Sequence, residues 1–178
     1  VAHELARLHE AENRHADALR VRKAALRSID DPREELFALR GVATAAERAG
    51  DLDEAILALE RARVLEVDEP TLLADLDRVL VAAGRHEQRA VLWMREAATV
   101  DEPSRKGRAL LRAAEASRAA GREGEAARHL AAAWVAAPNA AGVYDALVER
   151  IAPAGDRASV AARVALSEQA VRSADDPD

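Results

Sequence analysis

Apolar positions recur along this chain at the i, i+3, i+7 spacing that places side chains on one face of an α-helix. The repeated sets are Leu39, Val42 and Ala46; Leu73, Leu76 and Leu80; Leu110, Ala113 and Ser117; and Tyr144, Leu147 and Ile151. Each set is therefore expected to be the buried stripe of an amphipathic helix. The pattern predicts an all-α protein of ten helices in five antiparallel pairs.

The first helices of the five pairs are predicted at about 2–12, 37–49 with a lead-in from residue 33, 72–83, 105–120 and 140–152. The second helices are predicted at about 15–29, 52–67, 87–99, 123–136 and 157–173. These second helices carry a stripe of their own: Ala55, Leu59 and Ala62; Ala90, Met94 and Ala97; Ala126, Leu130 and Ala133. The middle set starts one residue later after its glycine, which predicts an insertion or a shifted helix start. In the first pair Arg22 stands where the others have Leu or Met.

Helix-breaking residues separate the predicted helices at a regular interval. They are Asn13, Gly50, Gly84, Gly121 and Gly155, which are 37, 34, 37 and 34 residues apart by subtraction of their numbers. Gly and Asn most readily adopt the left-handed backbone that closes a helix. Prolines alternate with them at Pro32, Pro70, Pro103, Pro138 and Pro177. Proline is tolerated in the first turn of a helix, so it is expected between pairs.

Polar side chains stand where the predicted helices begin. The expected N-caps are Asp51, Thr71, Ser104, Asn139 and Asp156. The acidic runs Asp30-Asp31, Asp68-Glu69 and Asp175-Asp176 precede prolines. We interpret these runs as linkers and cap donors rather than metal ligands.

A period of about 34 to 37 residues built from paired helices is typical of an α-solenoid. We therefore predict one repeat array over residues 1–178, with units at about 1–31, 32–69, 70–102, 103–137 and 138–178. The chain starts with Val1 and ends on a linker-like sequence, so we expect it to be a fragment of a longer protein.

The chain resembles the tetratricopeptide repeat family in nearly all of its length. The matching residues are Gly50, Gly84 and Gly121, then Ala55 and Ala126, Leu59 and Leu130, Ala62 and Ala133, and finally Pro138. Aliphatic residues or Ala replace the family's usual aromatic residues except at Tyr144, so the repeats are degenerate and a related helical-pair solenoid is the alternative. The resemblance implies a right-handed superhelix with a concave wall of first helices. It also implies protein binding rather than catalysis.

Composition narrows the classes of partner. The net charge of −6 speaks against a general nucleic-acid binder, which needs a concentrated basic surface. The absence of Cys excludes disulfides and thiolate metal sites. No run of about 20 apolar residues occurs, so no membrane insertion is expected, and the absence of a visible signal segment favours the cytoplasm without fixing the location. Arginine outnumbers lysine, as expected for a GC-rich bacterial genome.

The candidate binding residues lie off the apolar stripes of the first helices. They are Arg40, Thr44, Arg78, Arg108, Arg112, Glu115 and Arg118. Arginine in successive units suits bidentate capture of carboxylates, which predicts a groove for an acidic peptide segment. The alternative is a solvated face on which each Arg pairs with a nearby acid.

No pattern in the sequence indicates catalytic chemistry, a cofactor or a metal ion. His3, His9 and His15 are spaced by six residues, which rotates successive side chains on a helix by about 240°. They are therefore not expected to converge on one ion. Trp93 and Met94 lie beside Leu92 and are predicted to form a bulky apolar cluster with Trp134. Adjacent helical positions such as 93 and 94 cannot both face one neighbour.

The sequence therefore favours a non-catalytic module that binds a protein or peptide segment. Two alternatives stay open. The array could space other domains or associate with itself, or it could be a sensory array that controls an output domain.

Overall fold

The structure is a computed structural model that describes residues 1–66, 69–138 and 142–151, the last four as backbone only. These residues form nine α-helices, which confirms the all-α class. They are α1 (Ala2–Ala11), α2 (His15–Leu26), α3 (Pro32–Ala49), α4 (Leu52–Leu65), α5 (Pro70–Ala82), α6 (His86–Thr99), α7 (Pro103–Ala119), α8 (Glu123–Ala136) and α9 (Val143–Ile151). The helix predicted at about 157–173 lies outside the described residues, as do Gly155 and the caps expected at Asn139 and Asp156.

The helices pack in chain order as adjacent antiparallel neighbours. The chain divides into two compact units, Val1–Arg85 and His86–Asp178, and each unit is described by itself. In the first unit each helix from α1 to α4 packs on the next one, up to α5. In the second unit α6 packs on α7, α7 on α8 and α8 on α9, and α9 also contacts α7. The sequential packing predicted from the stripes is therefore present within each unit.

Left-handed residues close the first helices, as the sequence predicts. Asn13, Gly50, Gly84 and Gly121 have φ values of 58°, 78°, 66° and 74°. After Gly50, the amide of Asp51 donates to the carbonyl of Ala46 at 2.9 Å, which satisfies a carbonyl at the end of α3.

The second helices start at a constant distance from these turns. The first residues of α2, α4, α6 and α8 are His15, Leu52, His86 and Glu123, each the second residue after a left-handed one. The insertion or shifted start predicted for the third pair is therefore wrong. The positions of α6 that correspond to Ala55, Leu59 and Ala62 are Arg89, Trp93 and Glu96. Two of these three are charged, which hid the common register in the sequence.

Acidic residues before proline cap three of the first helices. Asp31, Glu69 and Glu102 are the N-caps of α3, α5 and α7, and each is followed by a proline in the first turn. The predicted caps Thr71 and Ser104 are wrong, because the prolines at 70 and 103 already lie inside the helices. The prediction of cap donors in the acidic runs is confirmed at Asp31 and Glu69. Asp51 caps α4 as predicted, accepting from the amide of Glu54 at 3.1 Å.

Residues of the apolar stripes, together with apolar residues beside them, form the cores of the two units. Leu39, Val42, Leu72, Val79 and Leu80 are almost fully buried in the first unit. Alanine fills many of the remaining inward positions, so neighbouring helices are expected to approach closely. In the second unit Leu110, Ala133, Trp134 and Val143 belong to one buried cluster, with Trp93, Tyr144 and Leu147 packed against it.

Candidate functional site

The seven predicted groove residues lie on three helices in two units. Arg40 and Thr44 are on α3 and Arg78 is on α5, in the first unit. Arg108, Arg112, Glu115 and Arg118 are all on α7, in the second unit. Each set has its own geometry.

Arg40 takes part in the N-cap of α5. Its Nη2 donates to Oγ1 of Thr71 at 3.1 Å and lies 3.5 Å from a carboxylate oxygen of Glu69. The Thr71 hydroxyl in turn donates to Glu69 at 2.7 Å. This bond is the main cause that lowers the pKa of Glu69. Arg40 therefore links α3 to the start of α5.

Thr44 uses its hydroxyl within its own helix. The Oγ1 atom donates to the carbonyl oxygen of Arg40, one turn earlier, at 3.0 Å. Bonds of this kind are common for Thr inside helices. The hydroxyl donor is engaged by its own backbone, so a peptide would compete with that bond.

Arg78 is held by two carboxylates. Its guanidinium binds both oxygens of Glu47 on α3, with Nη2 to Oε1 at 3.0 Å, and it reaches Oδ1 of Asp75 at 3.2 Å. The bond to Glu47 is the largest cause that raises the pKa of Arg78. Two parallel N–H···O bonds fix both position and orientation. Arg78 thus connects α5 to α3.

On α7 the arginines are held much more loosely. Arg108 approaches Glu102 only to 3.9 Å, and Arg112 approaches Glu115 to 3.6 Å along the same helix. Glu115 also lies 3.9 Å from Arg89 of α6. Arg118 has interactions within the chain as well. Among the described residues, Arg108 and Arg112 are therefore the two predicted binding residues that make only long ionic contacts.

Several polar contacts join helices that are separated by one helix in the chain, and the sequence reasoning did not predict their partners. Arg40 with Thr71, Arg78 with Glu47 and Lys23 with Glu54 are each separated by 31 residues. They connect α3 to α5 in two places and α2 to α4 in one. A search for opposite charges 31 residues apart would have indicated the Arg78–Glu47 and Lys23–Glu54 pairs.

The histidines of the first unit do not gather around a common point that could hold a metal ion. His3 is exposed, while His9 and His15 are half-buried. In the part of the chain that the structure describes, no three His, Cys, Asp or Glu side chains lie close enough together to hold a metal ion.

The structure brings together one Ser–His pair that the sequence reasoning did not identify. The hydroxyl of Ser117 on α7 lies 3.2 Å from Nδ1 of His129 on α8, and Ser117 is fully buried. Among the described residues no carboxylate binds the other ring nitrogen of His129, so the third member of a nucleophilic triad is not present there. The bond satisfies a polar group in the core stripe of α7.

The bulky apolar residues separate as the helical geometry requires. Trp134 is buried and its ring centroid lies 6.4 Å from that of Tyr144. Trp93 is half-buried against the same cluster. Met94, predicted to belong to the stripe of α6, is exposed, and that prediction is wrong.

Comparisons with known proteins add no family assignment. A scan against protein-family profiles finds no match, and a search of curated proteins finds no significant relative. Of the helices in the described residues, none combines the length and apolar character needed to cross a lipid bilayer.

Proposed function

We propose that this chain is a non-catalytic interaction module, a tetratricopeptide-like solenoid that binds an acidic peptide segment on its first helices. Support comes from helices that pack in chain order and from left-handed turns one period apart. Such repeats create extended surfaces suited to segments of other proteins. Catalysis has no part in the proposal, which rests on shape and polar contacts.

The exposed face of α7 carries the proposal. Arg108 and Arg112 are one helical turn apart, and their side chains are 56% and 54% exposed. Their ionic contacts of 3.9 and 3.6 Å are longer than a charge-assisted hydrogen bond, which spans about 2.7 to 2.9 Å. Exposed pairs of this kind contribute only about 0 to 1 kcal/mol. A peptide carboxylate could displace them at little cost.

The arginines of the first unit have a different role in this proposal. Arg78 is chelated by Glu47, and Arg40 is bonded to the cap of α5. Replacing either residue removes a contact between helices, so a loss of binding would be confounded by a loss of stability. The test of the function therefore belongs on α7.

The experiment measures binding of the chain to a fluorescein-labelled array of peptides that vary in Asp and Glu content. We expect Arg108→Glu with Arg112→Glu to weaken the acidic peptides by at least about tenfold, which corresponds to about 1.4 kcal/mol. The affinity of the parent chain should fall as salt rises, because the contacts are exposed.

The matched control is Arg128→Glu, an exposed arginine on α8 without an ionic partner in the described part of the chain. This variant makes the same change in net charge per site. Equal weakening by the control and by either α7 substitution alone would mean that overall charge governs binding. A parent chain that binds no acidic peptide in the array would refute the proposal.

A further inference from the structure

Glu115 is the one acid among the seven predicted groove residues, and its carboxylate lies between two arginines. Its Oε2 atom is 3.6 Å from Nη1 of Arg112 on the same helix and 3.9 Å from Nη2 of Arg89 on α6. Both distances are longer than a charge-assisted hydrogen bond, which spans about 2.7 to 2.9 Å. Two cations therefore share this oxygen, and neither is closely bonded to it.

The two arginines differ in how freely their side chains move. The side chain of Arg112 is 54% exposed, whereas that of Arg89 is 10% exposed. An exposed side chain changes rotamer rapidly. Arg89 is held in the interior, and it has further interactions within the chain. Arg112 is therefore the cation that turns toward a ligand, and Arg89 stays beside Glu115 when it does.

A ligand carboxylate and the Glu115 carboxylate compete for the same cation. They are the same chemical group, and a carboxylate beside Arg112 also repels a second one. Glu115 follows Arg112 by three residues on α7, so it meets Arg112 at a high effective concentration, whereas the ligand has to arrive from solution. Because exposed ion pairs are weak, this competition reduces the affinity for the ligand by about fivefold at most.

Arg108 has a poorer competitor than Arg112. Its ionic contact with Glu102 is 3.9 Å long. The carboxylate of Glu102 accepts two amide N–H groups in the first turn of α7, at 2.8 and 2.7 Å, and these bonds hold it at the start of the helix. It does not follow the guanidinium of Arg108 when that side chain moves. Arg108 is therefore the more accessible of the two cations, and Glu115 controls access to Arg112.

We propose that Glu115 is an internal competitor of the acidic segment. In the free chain its carboxylate lies against Arg112, and in the complex a ligand carboxylate binds Arg112 while Glu115 stays beside Arg89. This role, which rests on the proposed function of α7, is the opposite of a ligand contact, because Glu115 lowers the affinity for acidic segments. The sequence pattern groups Glu115 with the binding residues, but its position beside Arg112 assigns it to the regulation of that site.

Fluorescence anisotropy with the labelled acidic peptides tests this proposal on the parent chain, Glu115→Gln and Asp101→Asn. Glu115→Gln removes the competing charge and keeps the size of the side chain, so it should tighten binding about twofold to fivefold. Asp101 is exposed in the same unit, and its side chain has no hydrogen-bonded or ionic partner in the described ranges. Asp101→Asn removes the same charge and should tighten binding less. Circular dichroism checks that the helix content of each variant is preserved.

A double-mutant cycle tests whether Glu115 acts through Arg112. In an Arg112→Gln background, the extra gain from Glu115→Gln over Asp101→Asn should disappear. Peptides that bind the parent chain but bind Glu115→Gln no more tightly than Asp101→Asn would overturn the competitor and leave the proposed function standing. Binding by Glu115→Gln alone would refute acidic-segment binding by the parent chain and still support the competitor. No binding by either chain would overturn both proposals.

Discussion

At the residue scale, Gly41 of α3 explains how Arg22 fits into the apolar stripe of α2. Arg22 of α2 occupies a position that holds Leu59 in α4, Trp93 in α6 and Leu130 in α8. Its Nε and Nη2 donate to Glu10 of α1 at 3.0 and 2.8 Å, and Glu10 is also 3.6 Å from Arg48 of α3. A Cβ at Gly41 of α3 would lie only 2.7 Å from Nη1 of Arg22. Gly41, in the middle of α3, therefore leaves room for the guanidinium of Arg22.

This contact predicts that Gly41→Ala depends on Arg22. In a helix interior Ala is favoured over Gly by about 0.5 to 1 kcal/mol. We expect that full gain only in an Arg22→Ala background. In the parent chain the guanidinium of Arg22 has to shift away from the new methyl group, so the gain should be smaller. Urea unfolding of the four proteins in a double-mutant cycle measures the difference. The same stabilisation in both backgrounds would contradict the predicted contact.

At the element scale, the starts of the first helices share one chemical device. Asp31, Glu69 and Glu102 each accept backbone N–H groups of the first turn, and a proline supplies the first helical position. Proline has no backbone N–H and so leaves no unsatisfied donor in the first turn, and its fixed φ suits a helix. A carboxylate there also interacts favourably with the positive end of the helix dipole. The repeated acid–proline pair is thus a start signal for α3, α5 and α7.

The cap of α7 predicts a pH dependence of stability. Burial raises the pKa of Glu102, but bonds from the amides of Ser104 and Arg105 outweigh it, and the net pKa is lowered. A lowered pKa in the folded state stabilises the fold above the unfolded value of about 4.3, and the contribution is lost as pH falls through the folded pKa. Glu102→Gln should therefore lower the urea midpoint at neutral pH, and its difference from the parent should shrink in acid.

The control for this cap is Glu60→Gln. Glu60 is exposed on α4 and has no hydrogen-bonded or ionic partner in the described residues. Its substitution should leave the midpoint nearly unchanged at both pH values. A Glu102→Gln difference that persists unchanged at acid pH would mean that the carboxylate charge is not what stabilises the start of α7.

At the scale of the whole molecule, the sequence predicted elements better than contacts. Periodicity and left-handed residues depend on local backbone chemistry, so the helices of the described residues appeared close to their predicted bounds. The register of α6 was misread because Arg89 and Glu96 occupy inward positions, and burial of charge cannot be seen in an apolar pattern. The partners of Arg40 and Arg78 depend on side-chain reach across a neighbouring helix, which the spacing within one helix does not encode.

Packing in chain order predicts how a defect spreads within the second unit. Leu130 of α8 is almost fully buried, so Leu130→Ala should cost about 2 to 5 kcal/mol through lost burial and the cavity left behind. Because α8 packs on α7 and α9 whereas α6 packs on α7, amide exchange should speed up more in α7 and α8 than in α6. Arg128→Ala, exposed on the same helix, should change little. Uniform loss of protection across α6, α7 and α8 would mean that the unit opens as a single cooperative body rather than helix by helix.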